Sequence, residues 1–198
     1  MNETGEGKPS TRASIPFLTK LIRAIKLDSN LYEAIEHDPT ALRHAVVAIV
    51  LINICSAIGA LIYNMRLQET TIALDPLLTG MIVGEAVFLA LARWLVLTGI
   101  IYLVGVRLFK GTAGFQEILR TIAFAYTPVA LQILLPLFLM YEWVFLVLLG
   151  TNVWMIAALI IAVRQSLDLT TGKALGIVVF AGILYSIISV LPFAPLVY

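Results

Sequence analysis

What this chain lacks narrows its class before what it contains does. Charged residues make up only 13% of its 198 positions, against roughly 25% in soluble domains. There is one cysteine, Cys55, so no internal disulfide can form and cysteine usage reveals no redox compartment. It sits in an apolar run and reads as a small buried hydrophobe. The formal net charge is +1, which gives no reason to expect nucleic acid as a partner. No phosphate-binding glycine loop, dinucleotide fingerprint, nucleophile elbow or metal-ligand set occurs. No catalytic residue, cofactor or metal is therefore assigned. What the chain has is apolar side chains, 61% of the total, against roughly 45–50% in soluble domains. A bilayer solvates apolar faces on every side of a helix, and a soluble core of this size has no use for so many. The expected fold is all-α: a polytopic membrane helical bundle.

The elements can be placed along the chain. Residues 1–14, with Gly5, Gly7, Pro9 and Ser10, are polar and expected to be disordered, with no cleavable signal peptide. Residues 15–38 hold two short helices. In the first, Phe17, Leu18, Leu21, Ile22 and Ile25 recur at helical spacing while Lys20, Arg23 and Lys26 recur on another face. Such a helix lies in the headgroup plane or packs on its own bundle. Asp28 and Ser29 mark a stop and a new start. Asp38-Pro39 and Asp75-Pro76 each pair an N-cap with a proline suited to the first helical position. The membrane domain occupies 39–198, with spans expected at 45–63, 86–106, 118–140, 143–163 and 174–191. The apolar stretch behind Asp75 exceeds the roughly 20 residues a span needs. Either that helix is strongly tilted, or 77–84 is a separate interfacial piece, with Gly80 and Gly84 allowing a break. Pro128 and Pro136 should kink the third span.

Loop charge gives the orientation. The segment up to Arg43 holds six Lys and Arg, the second connection three (Arg107, Lys110, Arg120) and the fourth two (Arg164, Lys173). The first connection holds only Arg66, and the third connection and the C-terminal tail hold none. With five spans the rich segments share one side. The excess of Lys and Arg there predicts a cytoplasmic N-terminus and a C-terminus outside.

Few residues in the spans could carry chemistry. Arg93 lies inside the second span, where an arginine costs roughly 2.5–3.5 kcal/mol on insertion scales and so wants a partner or a water path. Glu85 is on a nearby face but about 12 Å away along the axis. Gln132, Glu142, Asn152 or a carbonyl freed at Pro128 are other candidates. Tyr126-Thr127-Pro128 interrupts an apolar helix; the proline frees a carbonyl that Thr127 can bond again. Arg93, Glu85, Tyr126, Thr127 and Pro128 thus form a candidate intramembrane polar site, or Arg93 snorkels and the proline only shapes the bundle. At the surface, Glu33, Glu36, His37 and Asp38 cluster, with Glu33 and His37 at metal-like i, i+4 spacing. A solvated acidic helix is the plainer reading.

Four segments carry a family resemblance. They are residues 31–39 (LYEAIEHDP), 105–111 (GVRLFKG), 120–128 (RTIAFAYTP) and 162–168 (AVRQSLD), the last followed by Lys173-Ala174-Leu175. In order and spacing they resemble the prokaryotic branch of the Yip1 domain family. The resemblance implies five spans with a cytoplasmic N-terminus in a prokaryotic cytoplasmic membrane. It implies no catalytic residues. Eukaryotic relatives look like trafficking adaptors for small GTPases. The Asp-Leu-Tyr-Gly-Pro segment of that branch is missing here, where the nearest tyrosine segment is Leu31-Tyr32-Glu33, so a small GTPase is not carried over as a partner. The expected role is a non-enzymatic scaffold that organises lipid or membrane partners, a second copy included. It would work through Lys20, Arg23, Lys26, Glu33, Glu36 and Asp38. The alternative is a small transporter or channel built on Arg93 and the Pro128 break.

Overall fold

Capping residues set where the helices begin, and hydropathy sets how far they run. The structure, a computed structural model, describes residues 15–36, 38, 40–68, 75–138 and 141–190. The polar tail 1–14, His37, Pro39 and residues 191–198 lie outside these, as does the side chain of Glu142. The fold is all-helical among the described residues, as expected.

Helix α1 is Phe17–Ile25 and α2 is Ser29–Glu36. Between them Leu27 takes a left-handed φ of 57°. The Asp28 carboxylate then accepts the Asn30 N–H at 3.0 Å and opens α2. Helix α3 is Ala41–Gln68. Asp38 starts it, accepting the Thr40 N–H on its carboxylate at 2.9 Å and the Ala41 N–H on its carbonyl at 3.0 Å. Helix α4 is Pro76–Tyr102, capped by Asp75, which accepts the Leu77 N–H at 2.8 Å. It runs unbroken through Gly80 and Gly84 and continues as a π-helix over Leu103–Leu108. The separate piece at 77–84 does not exist. The apolar segment Pro76–Leu108 has 33 residues, about 50 Å at 1.5 Å per residue, so it must tilt or project from a core about 30 Å thick.

The third span departs from the expected kinked α-helix. Helix α5, Phe115–Ala125, gives way to an eleven-residue 3-10 helix, Thr127–Leu137. Runs longer than 3–4 residues are uncommon in this form. Pro128 falls in its first turn, where a missing N–H costs little. The Phe124 carbonyl, freed by that proline, accepts the Thr127 hydroxyl at 2.6 Å. Tighter winding keeps the backbone self-bonded between the prolines and stretches the segment to about 2.0 Å per residue. Helices α6, Tyr141–Ser166, and α7, Thr171–Val190, complete the described chain.

Five helical segments are long and apolar enough to cross a membrane: Ala41–Leu67, Pro76–Leu108, Phe115–Leu137, Trp143–Ser166 and Thr171–Ile188. The third is the central strut. Its apolar window is 67% buried, against 22–33% for the other four. Helices α3 and α6 both pack along it, α4 meets α3, α5 and α7, and α6 meets α7. Gly59 on α3 lets two backbones touch: a Cβ there would collide with the Gln132 carbonyl oxygen and lie 2.7 Å from the Ile133 Cα. The short helices gather at one end. Helix α2 wedges against α5 and α6, and α1 lies on α5 and the 3-10 helix.

Candidate functional site at the α1–α2 end

The helical spacing of α1 puts Lys20 and Ala24 on one face, and that face turns inward. Lys20 is 1% exposed. Its ammonium donates to the Asp38 carboxylate at 2.9 Å and lies 3.2 Å from His44 Nδ1, which accepts if the ring carries its proton on Nε2. The His44 ring in turn packs on Phe17, with centroids 5.6 Å apart. Burial opposes charge on Asp38. Hydrogen bonds from Thr40 and Lys20 outweigh it and hold the carboxyl down at about 2. Arg23 donates to Asp28 at 2.7 Å and lowers that carboxyl too.

Arg120 closes the site from α5. It is buried, and its two terminal nitrogens donate to the carbonyls of Asp38 at 2.7 Å and Glu36 at 2.9 Å. Its Nε donates to the Gln116 carbonyl at 3.1 Å. The Glu36 carbonyl ends α2, and the Asp38 carbonyl, which also accepts the Ala41 N–H, starts α3, so the guanidinium caps the C-terminus of α2 and ties it to the start of α3. Behind it, Tyr32 is fully buried, and burial pushes its phenol above the ordinary value. Thr121 reaches Ser166 at 3.4 Å. Leu167 fills the space left open by Gly105 and Gly111, where a Cβ would stand 2.5 and 2.6 Å from its methyl carbons. The Gly111 N–H donates to the Gly105 carbonyl at 3.0 Å.

All four resembling segments therefore converge at this end. Residues 31–39 meet 120–128 through Arg120, 120–128 meet 162–168 through Thr121 and Ser166, and 105–111 close over Leu167. A family model for the Yip1 domain matches residues 28–191. The chain belongs to the Yip1 domain family. No curated protein and no solved structure matches it.

The site residues expected from sequence fall into groups. Lys20 and Asp38 pair with each other, and Arg23 pairs with Asp28, while Lys26 and Glu33 are exposed and Glu36 is half-buried. The basic stripe of α1 is thus divided: Lys20 faces the bundle, and Leu18 (66% exposed) and Ile22 face outward beside Lys26. The Glu33–His37 spacing involves a residue outside those described. Within the spans, Thr127 and Pro128 are buried and Tyr126 is half-buried. Arg93 is exposed on the outer side of α4. Glu85 is also exposed, and no bond joins it to Arg93 among the described residues. Arg93 is thus exposed while Pro128 is buried.

Sequence reasoning missed two features. Arg120 counted only as a loop charge; its place one turn into an otherwise apolar amphipathic helix was the signal that it faces a partner. Nor was the neutral chain across the bundle foreseen. The Ser56 hydroxyl donates to Gln132 Oε1 at 2.6 Å, and Gln132 Nε2 donates to the Thr151 hydroxyl at 3.2 Å.

Proposed function

We propose that this Yip1 domain protein is a non-enzymatic membrane scaffold. Its working face is the α1–α2 end, set on the cytoplasmic side of the membrane. One observation carries the reading: Lys20, the buried charge of α1, locks the helix to the bundle, and this leaves Leu18 and Ile22 facing outward while Phe17 and Leu21 pack on the core. A helix whose Lys20 face is fixed to the protein, and whose Leu18, Ile22 and Lys26 point away, is built to engage something else. Its position beside the bundle suits the headgroup boundary, where Leu18 and Ile22 enter the acyl region and Lys26 stays with anionic headgroups. Exposed Glu33 on α2 and the exposed basic residues Arg43, Lys110 and Lys173 add polar docking points beside it. Partners would be membrane proteins or a second copy of this chain.

The test separates anchoring from folding. Leu18→Glu with Lys26→Glu changes only exposed positions, so the purified protein should keep its thermal midpoint. Crosslinking in native membranes should lose the partner band captured by the parent chain. An unchanged crosslinking pattern would sink the reading. Cysteines placed singly near Lys26 and in the C-terminal tail, in a Cys55→Ala background, check the orientation: an impermeant maleimide should reach only the second in intact cells.

A further inference from the structure

Hydrocarbon gives an apolar side chain no reason to seek cover, but it gives an amide one. Asn152 is exposed on α6, within the fourth span, Trp143–Ser166. At 1.5 Å per residue it stands about 14 Å from Trp143 and about 18 Å from Arg164. In a hydrocarbon core about 30 Å thick that is near the middle, out of reach of headgroups. Its Nδ2 donates to the Leu148 carbonyl at 2.7 Å. The Oδ1 and the second N–H of the amide are left without a partner among the described residues. Asn64 makes the same kind of bond to its own helix, at 2.8 Å to the Ala60 carbonyl. It lies close to the end of its span, Ala41–Leu67, where the headgroup layer begins.

The helix is not free to turn this amide inward. Thr151, the residue before it, is buried, and its hydroxyl accepts from Gln132 Nε2 at 3.2 Å across the bundle. Further along α6, Leu159 and Val163 are buried in the main core. Asn152 stands instead in a row with Phe145, Leu149 and Ile156, all exposed. The steps along this row are four, three and four residues, the heptad spacing of two helices that pack side by side. A single asparagine in such a row fixes register and partner number, because any pairing that misses it leaves amides unbonded.

Whatever meets this face has to bring both a donor and an acceptor to the middle of the membrane. Acyl chains bring neither. A second copy of the chain, inserted in the same direction, brings its own Asn152 at the same depth. About a two-fold axis along the bilayer normal, each amide N–H donates to the other copy's Oδ1, so one contact satisfies both. We propose that α6 pairs with α6 of a second copy through Phe145, Leu149, Asn152 and Ile156, with the two Asn152 amides bonded at the centre. The pairing helix is not α1, so both copies keep the outward face of α1 free on the same side of the membrane. The pairing stands apart from the docking role of α1, and either can fail alone: Leu18→Glu with Lys26→Glu should leave the pair intact.

The test uses the full chain in phosphatidylcholine vesicles. In a Cys55→Ala background, Leu149→Cys and Ile156→Cys should each form a disulfide between two copies on mild oxidation. Leu146→Cys, exposed on another side of α6, and Val179→Cys, exposed on α7, should not. Energy transfer between labelled copies, diluted with increasing lipid, reads the strength of the pair. Asn152→Leu should weaken self-association about tenfold, the size of an interhelical hydrogen bond. Asn152→Gln, which keeps the amide, should recover part of the loss. The disulfide pattern needs no change at Asn152, so it decides the matter even if Asn152→Leu fails to fold. Three results would overturn the proposal. One is equal self-association by the parent and by an Asn152→Leu variant with unchanged thermal midpoint. Another is disulfide formation at Leu146→Cys or Val179→Cys as readily as at Leu149→Cys, which would make the encounters random or place them on another face. The third is a Leu149→Cys crosslink in native membranes that joins a different protein and never a second copy.

Discussion

The two ends of the bundle are held together by different physics. At the α1–α2 end, charge does the joining. Lys20, Asp38 and Arg120 tie elements from distant parts of the chain through short, charge-assisted hydrogen bonds. Toward the other end, among the described residues, the ties are mainly neutral. Ser56, Gln132 and Thr151 form a hydroxyl–amide chain, and Gly59 brings two backbones together. Arg66, donating to the Pro136 carbonyl at 2.9 Å near the far margin, is the charged exception. The difference follows from solvent. In hydrocarbon a helix gains nothing by hiding apolar side chains from lipid, so close packing and hydrogen bonds must hold helices together. At the headgroup boundary, charges can be partly hydrated and still pair.

The largest effect is expected where packing alone carries the join. Gly59→Leu should abolish the folded bundle, because backbone atoms of the central strut occupy the space and cannot move aside. Gly59→Ala should cost roughly 1–3 kcal/mol, the usual range for overpacking. Thermal unfolding in detergent reads both. A Gly59→Ala protein as stable as the parent would mean that α3 and the strut separate freely, and the contrast between the ends would lose its basis.

Arg120→Met should come next, at about 3 kcal/mol. It removes the bond to the Glu36 carbonyl at the end of α2 and one of the two bonds on the Asp38 carbonyl, which keeps the Ala41 N–H. Arg120→Lys should recover only part of this, since an ammonium does not reproduce the planar fork. Proteolysis between α2 and α3 gives a second readout, because α2 should detach before the spans do. If cleavage there is unchanged in Arg120→Met, the guanidinium is not what holds α2.

How far the sequence showed this in advance depends on the kind of force. The spans were legible because hydropathy sums over many residues. The helix starts at Asp38 and Asp75 were legible because capping is local. The rescue of the Phe124 carbonyl by Thr127 was also foreseen, since proline and threonine are neighbours. The 3-10 helix was not. Two prolines announce a break but do not say whether the chain kinks or rewinds; contacts with α3 and α6 decide that. The inward turn of Lys20 was hidden for a similar reason. Spacing showed two faces on α1 but could not say which met the bundle, and an acid eighteen residues away reversed the usual assignment.

The smallest effect separates the ends by pH. Asp38 is held at about 2 in the folded chain, below the roughly 3.9 of an unperturbed aspartate. A lowered folded value means the folded state favours the carboxylate. Its contribution is therefore full above the unfolded value and is lost as pH falls through the folded one. The stability difference between the parent and Asp38→Asn should hold above about pH 5, shrink as pH falls below about 4 and close only below the folded value of about 2. Because the Asp38 side chain is 20% exposed, solvent screens part of the pairing and the difference should be modest. Ser56→Ala, whose partners carry no titratable group, should show the same offset from the parent across that window. A parent–Asp38→Asn difference that holds steady to pH 2 would mean that Lys20 is anchored by His44 and Phe17 packing rather than by the carboxylate. The charged end would then be held, like the other, mainly by shape.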